Sequence, residues 1–89
     1  MKHKLESEFY QISKKIVSEN KTVAEWAAIE SEDMFQSNIY EGGFDGTGMY
    51  FSFCVFLNNK EYWFQLTLDE IIAINNKQIN EVNIEEADW

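Results

Sequence analysis

Apolar and polar positions change rhythm twice along this chain. Leu5, Phe9, Ile12 and Ile16 recur at spacings of four, three and four, which lays a single apolar stripe along a helix. The spacing predicts a helix over about 3–19, with Asn20 as its stop. Thr22-Val23-Ala24-Glu25 fits a capping box, in which the threonine hydroxyl takes the third helical N–H and the glutamate reaches back. A second, short helix is therefore expected over about 23–30, with Val23, Trp26, Ala27 and Ile29 turned inward. Ser31-Glu32-Asp33 breaks it.

From Met34 the period shortens to two. A weak alternation over about 35–41 is compatible with a strand, and two long aromatic and branched runs follow over about 48–57 and 61–67. Asn58-Asn59 between them signals a hairpin. In the first run Met49, Phe51, Phe53, Val55 and Leu57 share one face, and Tyr50, Ser52, Cys54 and Phe56 share the other. In the second run Tyr62, Phe64, Leu66 and Leu68 alternate with Trp63, Gln65 and Thr67. The wholly apolar face is the core face. Thr67-Leu68-Asp69-Glu70 is a second capping box and starts a helix over about 68–76, which Asn75-Asn76 would end in the left-handed conformation. In the tail, 77–89, Val82 and Ile84 alternate with Glu81, Asn83 and Glu85 as a short edge strand or an extended arm would. The expectation is one α+β domain spanning 1–89: two N-terminal helices, an antiparallel sheet of about three strands, one C-terminal helix and an acidic tail.

Composition adds a compartment and a charge. The chain of 89 residues is 45% hydrophobic and 16% aromatic, too apolar for disorder. Cys54 is the single cysteine, so no internal disulfide forms and nothing indicates an oxidising compartment. "MKHKLESEFY" has no apolar run after its basic residues, and no apolar stretch is long enough to span a membrane. A soluble, cytoplasmic protein is expected. Seven lysines stand against sixteen acids, a net charge of −9. That balance repels nucleic acid and anionic membrane and attracts a basic protein. The acids are also segregated: no cation occurs from Thr22 to Asn59, against Glu25, Glu30, Glu32, Asp33, Glu41 and Asp45, nor from Glu81 to Trp89.

Candidate chemistry is sparse. All four glycines fall in "GGFDGTG". A phosphate loop would lead into a helix and carry a cation, whereas this one leads into a strand between Glu41 and Asp45. A calcium loop would need more oxygen ligands and a closing glutamate. The glycines suit a wide bend or bulge between strands, one that also displays Tyr40, Glu41, Phe44, Asp45 and Tyr50 as an acidic, aromatic contact patch. His3 is the only histidine and lies near the start of the chain, and Cys54 has no basic neighbour to activate it. Asp69 and Glu70 are accounted for by capping, and Glu32 and Asp33 by a turn. Neither a catalytic site nor a cofactor or metal is expected. Trp89, after "EEAD", either anchors a partner or folds back over Trp63 or Phe56.

The run "YEGGFDGTGMYFSFCVF…KEYWFQLTLDEI" resembles small acidic immunity proteins of bacterial toxin systems. Phage-encoded inhibitors of defence nucleases, anti-CRISPR proteins among them, are similar in size and charge. The resemblance implies a non-enzymatic inhibitor whose carboxylates imitate phosphates and cover the basic cleft of a nuclease toxin or a defence nuclease. The alternative outside that class is a self-associating interaction module. The partner-binding residues expected are Glu30, Glu32, Asp33, Glu41 and Asp45 for steering, and Tyr40, Phe44, Tyr50 and Trp89 for anchoring.

Overall fold

The computed structural model describes residues 1–29, 35–45 and 49–87. In chain order the elements are β1 (Lys2–Lys4), α1 (Ser7–Glu19), α2 (Val23–Ile29), β2 (Phe35–Gln36), β3 (Tyr40–Asp45), β4 (Tyr50–Leu57), β5 (Lys60–Leu66), α3 (Leu68–Asn75), β6 (Glu81–Asn83) and β7 (Glu85–Glu86). The architecture is α+β. Five antiparallel strands run in the order β2-β3-β4-β5-β7, and β1 and β6 form a separate antiparallel pair. The sheet is thus wider than the three strands expected, because the stretch expected as one strand over 35–41 gives both β2 and β3, and the tail adds β7.

The three helices pack on one face of the large sheet. Phe9 of α1 is fully buried, with its ring centroid 5.0 Å from Phe53, 5.2 Å from Tyr40 and 5.6 Å from Phe64. Trp26 of α2 packs edge-on to Phe51 at 5.2 Å, and Ile71 and Ile74 of α3 complete the same apolar cluster. Removing rings of this size from water contributes roughly 2–3 kcal/mol each.

Local signals set most boundaries. Both capping boxes form: Glu25 N–H donates to Thr22 Oγ1 (3.2 Å) and Thr22 N–H to Glu25 Oε1 (3.1 Å), and Thr67 with Glu70 repeats the arrangement. Asn20 ends α1 in the left-handed conformation. Asn58 and Asn59 have φ of 52° and 65°, the two positive values of a type I′ hairpin turn. The end of α3 differs from expectation by one position. Asn76 keeps φ at −87°, and Lys77 takes the left-handed place at φ 64°. The N–H groups of Lys77 and Gln78 then close on the carbonyls of Ile74 and Ala73, both at 2.9 Å, a Schellman motif. The Lys77 ammonium lies 3.5 Å from the Tyr10 ring centroid, and this cation–π contact ties the end of α3 to α1.

Two stretches depart from the sequence expectation. The first helix begins at Ser7 rather than near residue 3, because Lys2–Lys4 pairs with Glu81–Asn83 as β1 with β6. The expected strand over 35–41 is two strands, β2 and β3, turned on Ser37, whose N–H donates to Tyr40 O (2.7 Å). Gly42 and Gly43 lie inside β3, not in a bend. At Gly42, with φ of +157°, a Cβ would come 2.1 Å from Ser52 O and 2.8 Å from Phe53 Cα. Only glycine admits that approach between β3 and β4.

Candidate protein-binding face

Strand register decides which side chains face away from the helices. Cross-strand partners point to the same side, and successive residues alternate. Tyr40, Gly42 and Phe44 pair with Val55, Phe53 and Phe51 on the core side, whereas Glu41, Gly43 and Asp45 pair with Cys54, Ser52 and Tyr50 on the other. One outward row crosses the whole sheet: Gln36, Glu41, Cys54, Trp63 and Glu85 are successive partners. A second places Ser52 beside Gln65, whose amide donates to the serine hydroxyl at 3.4 Å. Phe56 opposite Glu61 forms a third.

Among the described residues no helix covers this face. Tyr50 and Phe56 keep 39% and 42% of their surface in water, and Trp63 is half-buried. Glu41, Asp45, Glu61 and Glu85 project from it by register, and none of the seven lysines occupies an outward position of these strands. Lys2 and Lys4 sit on β1, Lys14 and Lys15 on α1, Lys21 and Lys77 in loops at helix ends, and Lys60 on the core-side alternation of β5. The ion pairs Lys21–Glu19 and Lys60–Glu86 (3.8 Å) leave Glu41 and Glu85 out. Asp45, Cys54 and Glu61 each make an interaction within the chain.

The residues expected to bind a partner divide accordingly. Glu41, Asp45 and Tyr50 lie together on the open face. Tyr40 and Phe44 do not: they are 0% and 3% exposed, and both belong to the core. The reason is alternation, since β3 continues through the glycines and turns every second side chain inward. Glu30, Glu32, Asp33 and Trp89 lie outside the described residues. Phe56, Trp63, Glu61 and Glu85 also lie on this face, although none of them was expected to bind a partner. For Phe56 and Trp63 the signal was present in the mixed face of the hairpin. For Glu85 it required the pairing of β7 with β5.

His3, the only histidine, lies away from this face. It is buried, and its Nε2 lies 2.7 Å from Tyr40 Oη, which also accepts the Glu6 N–H at 3.1 Å. Which of the two donates in this hydrogen bond is set by the imidazole tautomer. Burial lowers the imidazole pKa against the opposing pull of Glu6, and burial pushes the Tyr40 hydroxyl up to about 12. This pair fastens β1 to the core side of β3 and touches nothing on the open face.

Among the described residues, no helix is long and apolar enough to cross a membrane, and no three His, Cys, Asp or Glu side chains gather around a metal position. Compared with known protein families, characterised proteins and solved structures, the chain matches none.

Proposed function

We propose that this protein is a non-enzymatic inhibitor that lays its open sheet face over the basic cleft of a nucleic-acid-processing protein, in the manner of an immunity protein for a nuclease-type toxin. One observation carries this reading: four carboxylates and three aromatic side chains share an outward face on which no lysine stands. Like charges held on one side of a small scaffold repel one another, and a cationic partner relieves that repulsion. Glu41 and Glu85 steer the encounter, accelerating association in a salt-dependent way. Tyr50, Phe56 and Trp63 then lose water against the partner, the kind of aromatic contact that dominates interface energetics. Two copies of this face would bring eight carboxylates together, which argues against self-association through it.

The test is capture from the native host by the wild-type chain and by a Glu41→Lys/Phe56→Ala variant. A basic nuclease should co-purify with the wild type, stop cleaving when saturated with it, and be lost from the variant. Capture should also fall at about 1 M salt, where the screening length is about 3 Å. A nuclease that still cleaves when saturated, or a partner retained equally by the variant, would sink the proposal. The nature of the captured nuclease, toxin or defence enzyme, separates immunity from anti-defence.

A further inference from the structure

The open face ends in a cleft, and its origin is a forked strand. The alternation of the β4–β5 ladder turns the backbone groups of Phe64 and Leu66 toward β4 and those of Glu61, Trp63 and Gln65 away from it. Two of these three find partners: Ala87 N–H donates to Glu61 O at 2.9 Å, and Trp63 faces Glu85 in the β5–β7 register. Two residues further on, Gln65 would meet Asn83. The chain instead swings aside at Ile84, whose N–H donates to Met1 O (2.7 Å) and whose carbonyl accepts from the Met1 amine (3.1 Å). Asn83 pairs with Lys2 on β1, and Gln65, paired with Ser52 on its other side, has no ladder partner among the described residues on the side of β7.

Two adjoining hollows fill the fork, of about 150 and 310 Å³, and both are lined by Gln65 and Asn83. The smaller also has Trp63, Phe64 and Glu85 in its walls. Trp63 and Glu85 are neighbours on the open face, so the cleft continues that face. The larger lobe has an apolar lining of Leu66, Ile79 and Val82, with Glu70 and Glu81 among its polar residues. Glu81 already faces Lys4 across the β1–β6 pair. No lysine lines the smaller lobe.

We propose that the smaller lobe receives an arginine side chain of the basic partner, its guanidinium stacked on Trp63 and bonded to the Glu85 carboxylate and the Gln65 carbonyl. The assignment rests on the reading of the open face as a surface for a basic protein. It favours arginine over lysine for stated reasons. A planar guanidinium stacks on an indole and presents several donors at once, whereas an ammonium is compact and strongly hydrated. The aliphatic stem of an arginine also suits a cleft with apolar walls.

Titration of the 15N-labelled full chain with N-acetyl-arginine amide, and separately with N-acetyl-lysine amide, tests this. The arginine probe should give saturable shifts at the Gln65 N–H, the Asn83 side-chain amide and the Trp63 indole N–H. The lysine probe should bind several-fold more weakly. Glu85→Gln and Trp63→Leu should each weaken the arginine probe several-fold; of the two, Glu85→Gln alters an exposed side chain and preserves the dispersed spectrum. Equal binding of both probes, unsaturable shifts spread over Glu41 and Asp45, or undiminished binding to Glu85→Gln would each overturn the assignment. Neither Glu41 nor Phe56 lines the cleft, so the capture experiment can succeed while this titration fails, and the two failures remain distinguishable.

Discussion

Tyr40 holds two elements through one oxygen. Its hydroxyl takes the first free N–H before α1, at Glu6, and reaches His3 on β1. Tyr40→Phe takes the partner from the buried His3 ring and from the Glu6 N–H and should cost about 1–3 kcal/mol in urea unfolding. The same pair fixes a pH window. Unfolded, His3 takes a proton near pH 6.5. In the fold its pKa lies lower, so its contribution is complete above pH 6.5 and is lost as the pH falls toward the folded value. Tyr40 works in the opposite sense: its folded pKa of about 12 lies above the ordinary 10.0, so stability is complete below pH 10.0 and is lost as the pH rises toward about 12. Urea midpoints measured against pH should decline on both sides of that window. His3→Gln should flatten the acid side only, and an unchanged acid slope would show that other groups govern it.

At the scale of the element, the two faces of β4 make opposite demands. Phe53 is 1% exposed against Phe9 and Phe64, so Phe53→Ala should cost about 3–5 kcal/mol as a core cavity. Phe56→Ala, three residues on but outward, should cost under about 1 kcal/mol. That contrast was legible in the alternation of the sequence, as were both capping boxes, the Asn58-Asn59 turn and the stop at Asn20. The glycines were not legible as strand, because glycine is ordinarily a breaker there. Gly42 is needed for the close backbone approach of a neighbouring strand, which a single strand's pattern does not encode. Gly42→Ala should therefore destabilise the chain by about 2–4 kcal/mol, read as a fall in the urea midpoint. A midpoint like that of the wild type would mean that β3 and β4 separate at little cost. Misplacing the glycines also misplaced the candidate site: once β3 runs through them, Tyr40 and Phe44 turn inward and only Glu41, Asp45 and Tyr50 remain outward. Strand β1 escaped for another reason. Its partner lies at the far end of the sequence, and Leu5 fits the helical stripe although it sits before the helix.

For the molecule as a whole, the outward sheet face stands out as acidic without lysine: the lysines ride on the helices, the β1–β6 pair, the loops and the core-side alternation of β5, where they are mixed with acids such as Glu8, Glu19, Asp69, Glu70 and Glu86. A field of that polarity orients an approaching cationic protein before contact. The β1–β6 pair has a different consequence, for the order of folding. Closing His3 onto Val82 first would ring 79 residues, about 3 kcal/mol costlier in chain entropy than joining Leu57 to Lys60 across their turn. The hairpin should accordingly lead and the terminal strands zip up last, on a sheet and helices already in place. Pulse-labelled hydrogen exchange during refolding should protect the amides of Phe53 and Phe64 before those of His3 and Val82; simultaneous protection would refute that sequence of events.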